Sequence, residues 1–294
     1  MGLALKKNEK LILFASLAVI GWLIISRRIM RMTMTDKKAK SRFASMGVRL
    51  HTDTKVVDGH EVHYAWTGNR SLPVLLFIHG SPQSWTFFSD YLRDDLLLER
   101  FRIVSVDRPG FGQSDFGNAL RLPEQVEILA KFLDAIAHDQ PVYLVGHSFG
   151  APLAVAMAAL RPGRVKTIVL AAGALDPSAE SAAAWRKLLM LPPMSSFLPG
   201  AMKPSNEELY YLGEDLYQIQ SRFMEVQCPV FLVHAFDDQI VPHAQSETAA
   251  RMFINAPKVR MITLPSGGHF FPKKRFFQFR DLLVNGLRPE LASY

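Results

Sequence analysis

The sequence predicts an α/β fold built on a mostly parallel sheet with helices on both faces, and three observations carry that expectation. Six short apolar runs rich in β-branched residues recur along the chain, at residues 73–80, 102–110, 141–148, 165–173, 229–236 and 259–267. Near-continuous runs of this kind suit strands buried on both faces; half-exposed strands alternate instead. Segments of helical period fall between most of them, notably 122–138, 150–162, 243–254 and 271–287. Strand alternating with helix implies crossover connections and a parallel sheet. The chain is also large enough for one substantial core, with 294 residues of which 49% are hydrophobic.

From the N-terminus onward, each element has its own signal. Leu11 to Ser26 is free of charge, preceded by Lys6, Lys7 and Lys10 and followed by Arg27, Arg28 and Arg31. As a helix this run reaches roughly 24 Å, enough to anchor in a bilayer if the flanking basic side chains snorkel. A cleaved signal peptide is the rival reading, but it needs a small-residue cleavage site where this chain has Ser-Arg-Arg-Ile-Met. Residues 1–31 are therefore expected to be a single-pass membrane anchor. The Lys and Arg excess between 27 and 42 biases the body towards the cytoplasmic side. Residues 32–46 have neither apolar period nor core content and read as a polar linker, with the folded domain over 47–294.

Charge narrows the choice of partner. The net charge is +7, yet residues 1–42 alone hold ten Lys or Arg against Glu9 and Asp36, leaving a body balance of −1. A nearly neutral body excludes a nucleic-acid footprint across it. Cys228 is the only cysteine, so neither an intrachain disulfide nor a cysteine metal cluster forms, and its place before a strand reads as a small buried hydrophobe.

Within the body, two alternating runs flank Asp58-Gly59, a hairpin turn signal. Residues 174–227 interrupt the strand-helix rhythm and read as a helical cap inserted over the sheet. It includes a Met and Leu stripe over 189–202, for which lining of an acyl pocket and core packing are both open, and an acidic helix-like stretch, 205–216.

The chemistry is signalled at 142–160, where an apolar strand runs into a helix of small residues through Gly146-His147-Ser148-Phe149-Gly150. Gly-x-Ser-x-Gly between strand and helix is a nucleophile elbow, a turn sharp enough to lift a hydroxyl above the sheet edge at the positive end of a helix. A serine hydroxyl needs an imidazole to take its proton and a carboxylate to hold that imidazole in the right tautomer. Both follow downstream at strand ends: Asp237 and Asp238 after 229–236, and His269 after 259–267. The candidate triad is Ser148, Asp238 and His269, with Asp237 and Asp176 as alternative acids. The candidate oxyanion donors are the N–H of Phe149 and, in the loop after 73–80, that of Ser81.

Together "HGSPQS", "DRPGFGQSD", "GHSFG", "AFDDQIVP" and "GGHF", in that order, resemble the α/β-hydrolase fold superfamily over residues 50–287. The cap region further resembles small-capped bacterial members of esterase or lipase type. The chain departs from the pattern at Ala151 and Ala235, both small. Carried over position by position, the resemblance implies Ser148 as nucleophile, His269 as base and Asp238 as triad acid, with no metal or organic cofactor. An aspartate at 148 would imply dehalogenase or epoxide chemistry; serine argues against both. The expected function is hydrolysis of a carboxylic ester or thioester, possibly of a lipid-like small molecule, through an acyl-enzyme. Carbon-carbon bond hydrolysis, peptide cleavage and acyl transfer by the same triad are the alternatives. Other residues read as structural: His79 and His147 as hydrogen-bonders, and Asp107 and Arg108 as shapers of their loop. His60 and His63 lie three apart on a hairpin, against the spacing of a helical zinc motif.

Overall fold

In the computed structural model, which describes residues 7–180 and 184–287, eight strands form one sheet in the order β1-β2-β4-β3-β5-β6-β7-β8. The strands are β1 (His51–Val57), β2 (His60–Thr67), β3 (Val74–Ile78), β4 (Arg102–Val106), β5 (Val142–His147), β6 (Val165–Ala171), β7 (Val230–Ala235) and β8 (Val259–Leu264). β1 and β2 pair antiparallel, as do β2 and β4, whereas β3 to β8 run parallel to one another. The hairpin turns at Asp58 (φ +50°) and Gly59 (φ +84°), the left-handed pair that a two-residue turn requires. β3, β4 and β5 are buried along their whole length, which explains their lack of alternation.

The helices are α1 (Lys7–Ile29), α2 (Asp36–Ala44), α3 (Asp95–Leu98), α4 (Leu122–Ala137), α5 (Gly150–Leu160), α6 (Ala184–Met190), α7 (Met194–Phe197), α8 (Met202–Ile219), α9 (Ser221–Glu225), α10 (Ala244–Ala250), α11 (Phe271–Lys274) and α12 (Phe276–Gly286). One core lies between the sheet and α4, α5 and α10, and is continued by Leu212, Leu216 and Phe223 of α8 and α9. The second lies on the other face, between the sheet and α2, α3 and α12. Cys228 is buried, and burial pushes its thiol up to about 12, in keeping with a small hydrophobe.

Three local readings change with the structure. The stretch expected as a polar linker carries α2, whose Ala39 and Phe43, four apart on one face, are buried; Phe43 packs near Trp85 with ring centroids 6.5 Å apart. Two buried apolar residues in nine give a helix too faint a stripe to stand out in sequence. The Met and Leu stripe of the cap runs from the end of α6 through α7 to the first residue of α8, and neither α6 nor α7 buries a residue. Leu191, Met194 and Phe197 are exposed, whereas Ala201 near the end of the stripe is buried, so the stripe is not a continuous core face. The segment at 271–287 breaks at Arg275 into α11 and α12, with Phe279 buried and Phe277 exposed. Lys6, residues 181–183 of the cap and the end of the domain from 288 lie outside the described residues.

α1 extends past the uncharged run at both ends, and over Lys7–Ser26 it is long and apolar enough to cross a membrane. Length and composition alone do not separate an anchor from a signal sequence.

Candidate active site

The chain makes β3, crosses to β4 on one side, and then returns to β5 on the other side of β3. That reversal is the switch point where open α/β sheets leave a crevice at the carboxyl ends of the strands. The loop after β3 holds His79 to Ser81, and the turn after β5 holds Ser148.

Ser148 sits at φ +53°, in the left-handed region that a β-carbon disfavours. Its N–H donates to Ala171 O at 2.9 Å and its carbonyl accepts from Ala151 N at 3.0 Å, which pins the turn between β6 and α5. The two flanking glycines are steric necessities. A Cβ at 146 would run into the Gly150 backbone, and one at 150 into Ile78 O. At Gly80, across the crevice, a Cβ would stand 2.7 Å from the Ser148 Cβ. The β3 loop therefore lies directly against the Ser148 turn.

Asp238 and His269, from the ends of β7 and β8, meet with Nδ1 of His269 2.9 Å from Oδ2 of Asp238. A carboxylate only accepts, so Nδ1 carries a proton; in the neutral ring this leaves the lone pair on Nε2, the tautomer of a general base. The other Asp238 oxygen accepts from Ile240 N (2.9 Å) and Val241 N (3.0 Å). Burial raises the Asp238 carboxyl, but hydrogen bonds from His234 and His269 and the charge of His269 outweigh it and hold the group well below the usual carboxylate range. The two alternative acids are occupied elsewhere. Asp237 accepts from Gly268 N at 2.8 Å and Gly267 N at 3.2 Å, and Asp176 caps a short turn through Ser178 N at 2.9 Å.

His269 is held by His147, the residue before Ser148, whose Nε2 donates to His269 O at 2.9 Å, with the two rings 4.9 Å apart. No hydrogen bond joins the Ser148 hydroxyl to the His269 ring; catalytic contacts of this type commonly close only around substrate. Burial, and then the charge of His269, lower His147 to about 3, so it is a neutral brace. His79 is likewise neutral, lowered by burial and by Arg108. Its Nδ1 donates to Gly80 O (2.7 Å), and its Nε2 accepts from Arg108 N (3.0 Å). The N–H groups of Ser81 and Phe149 are not spent on backbone carbonyls, while the Ser81 hydroxyl donates to Ser205 Oγ of α8 at 2.7 Å.

Sequence reasoning missed three contributors. His234 shares Asp238 Oδ2 with His269, its Nε2 standing 3.2 Å away and also donating to Val241 O at 2.9 Å. Gln83 braces the β3 loop by accepting from Gly80 N at 3.1 Å. Glu208 of α8 pairs with buried Arg108 at 2.7 Å. Gln83 lies within the HGSPQS stretch, whereas His234 and Glu208 have no local motif, and Glu208 lies a hundred residues from Arg108. The tempting His60 and His63 pair with carboxylates, His60 with Asp115 (2.7 Å) and His63 with Asp107 (3.0 Å) and Asp36 (3.1 Å).

Comparison with known proteins agrees with the fold. The family model of the alpha/beta hydrolase fold matches residues 73–196. Mouse epoxide hydrolase 4 is 27% identical over 124 residues, covering 41% of this chain and 34% of that protein. Haloalkane dehalogenase 2 of Mycobacterium tuberculosis is 34% identical over 114 residues, 37% of each chain. The matched stretch thus spans little more than a third of either relative. Among solved structures, a membrane phospholipase A described as a bacterial virulence factor superposes with a TM-score of 0.60 at 21% identity, over 97% of this chain and 100% of its own. At that identity the likeness speaks for the fold alone. With the sheet order, the elbow and these matches together, the chain has the α/β-hydrolase fold.

Proposed function

We propose that this hydrolase is a membrane-tethered serine enzyme that cleaves carboxylic esters or thioesters of lipid-like acyl compounds. The observation that carries the reading is the Asp238-His269 bond of 2.9 Å beside a serine held at φ +53° on a strand-to-helix turn. In the proposed cycle the Ser148 oxygen attacks the carbonyl carbon while its proton passes to Nε2 of His269. The negative oxygen is held by the N–H groups of Ser81 and Phe149. Collapse returns that proton to the leaving alcohol or thiol and leaves an acyl-enzyme. Water then attacks it by the same route, releasing the acid and restoring Ser148. Each oxyanion donor of this kind contributes about 3 kcal/mol to the barrier.

The lipid-like preference draws support from the cap. Trp185, Leu188, Leu191, Met194 and Phe197 are 41–56% exposed on or between α6 and α7. Beside them, Trp22 Nε1 of α1 donates to Phe197 O at 3.2 Å, so this apolar surface continues that of the proposed anchor.

The test uses the full-length protein in nanodiscs with a fluorophosphonate probe and a p-nitrophenyl ester series from acetyl to dodecanoyl. Labelling at Ser148, its loss in Ser148→Ala, and octanoyl ester turned over on the order of tenfold faster than acetyl are expected. No labelling of the well-folded wild type overturns the serine-hydrolase reading, and equal turnover of acetyl and octanoyl esters overturns the lipid preference.

A further inference from the structure

The guanidinium of Arg108 is wholly buried, and its contacts converge from three directions. Nε donates to His79 O at 2.9 Å, two residues before Ser81. Nη1 donates to Gln125 Oε1 of α4 at 2.7 Å and to Glu208 Oε2 at 2.7 Å, and Nη2 to Glu208 Oε1 at 2.8 Å, a bidentate fork. The face of the same group lies 4.5 Å from the centroids of both Phe149 and Phe111. One planar cation therefore touches both segments that carry the proposed oxyanion donors: the β3 loop by its edge, and Phe149 by its face.

Glu208 is the cap's contribution. It stands on α8 one turn beyond Ser205, which accepts from the Ser81 hydroxyl at 2.7 Å. The cap helix reaches the β3 loop twice, directly at Ser81 and through Arg108 at His79. A buried ion pair is a poor way merely to fasten a cap, since an apolar pair of the same volume does so at less desolvation cost. What the fork adds is a fixed plane and a fixed distance.

We infer that Arg108, oriented by Glu208 of the cap, is a positioning residue that sets the spacing between the Ser81 and Phe149 N–H groups, so that docking of α8 completes the oxyanion hole. This rests on the serine-hydrolase reading above. It requires that loss of the pair be felt where negative charge develops on the substrate oxygen, rather than in ground-state binding.

The experiment compares full-length wild type, Glu208→Gln, Arg108→Lys and the double variant Arg108→Met with Glu208→Leu. Readouts are kcat and KM for p-nitrophenyl butyrate, inhibition by an alkyl trifluoromethyl ketone, and the thermal midpoint. The apolar double variant keeps the cap fastened where a single replacement leaves a buried charge unpaired. Expected are a kcat loss on the order of 10- to 100-fold and a proportional loss of ketone affinity in all three variants, with KM within about threefold of wild type. Arg108→Lys keeps the charge without the fork, so it is expected not to rescue. A double variant with wild-type kcat, or variants that alter KM or the midpoint alone, would falsify the inference and leave the pair a structural fastener. Absence of Ser148 labelling in the wild type refutes the underlying serine-hydrolase reading instead.

Discussion

Asp238 serves two imidazoles through one oxygen, Oδ2, while its other oxygen takes two backbone N–H groups. An amide in its place cannot satisfy the same partners: wherever its NH2 sits at the Oδ2 position it faces two N–H donors. Asp238→Asn is therefore expected to drive His269 into the tautomer with its proton on Nε2, removing the base, and to lower kcat by roughly 10³- to 10⁴-fold with a small change in KM. Steady-state kinetics with p-nitrophenyl butyrate checks this; a loss under tenfold would mean that Asp238 only holds its loop. The candidate acid, base and nucleophile of the proposal are named from the sequence because each closes a recognisable strand, and strand ends in a parallel sheet gather on one rim. His234 was not legible. It lies inside a buried run of β7, where nothing local separates a histidine hydrogen-bonded to the acid from one that merely fills space.

Helices were legible where a wide apolar stripe marks them. α4 and α5 emerged close to their observed bounds, whereas α2 was hidden by its composition. What docks α2, beyond Phe43, is a polar clamp. Asp36, at its first residue, accepts from Thr52 Oγ1 at 2.6 Å and Gln113 Nε2 at 2.8 Å and meets His63 Nε2 at 3.1 Å. The other nitrogen of His63 meets Asp107, which itself accepts from Trp85 N at 2.7 Å. With a carboxylate at each nitrogen, both ring nitrogens donate only when the imidazole is charged. Burial lowers the His63 pKa, but hydrogen bonding and attraction from Asp107 and Asp36 outweigh it, so the net shift is upward. A raised histidine contributes stability that is complete below its unfolded value of about 6.5 and is lost as pH rises through the folded value. The midpoint difference between wild type and His63→Gln is accordingly expected to be largest near about pH 6 and to shrink towards about pH 9. A difference independent of pH across that window in thermal melts would mean that the clamp holds His63 neutral.

At the scale of the whole molecule, the parallel sheet was legible because strands buried on both faces are written as uninterrupted apolar runs. The cap was not, since its fit depends on pairs such as Arg108 with Glu208 and Arg121 with Asp215 that join distant segments. The same principle decides how the N-terminal helix relates to the body. Past its apolar span, the chain is built into the domain. Met30 O accepts from Ala201 N of the cap at 2.9 Å, and Met32 O accepts from Ser84 Oγ at 2.6 Å and Thr86 Oγ1 at 3.1 Å, four residues beyond Gly80. Gly200 packs so closely on Met30 that a Cβ there would stand 2.6 Å from its carbonyl oxygen. These contacts tie the chain just after the apolar run to the cap and to the loop after β3, an arrangement that a retained helix uses and a removed one does not need. The expectation is that α1 is retained: the protein should stay in the membrane fraction through an alkaline carbonate wash, and mass spectrometry of the purified chain should recover the peptide containing Trp22. A soluble mature chain beginning after residue 26 would refute the anchor while leaving the chemistry of Ser148 untouched, because no proposed catalytic group comes from that helix.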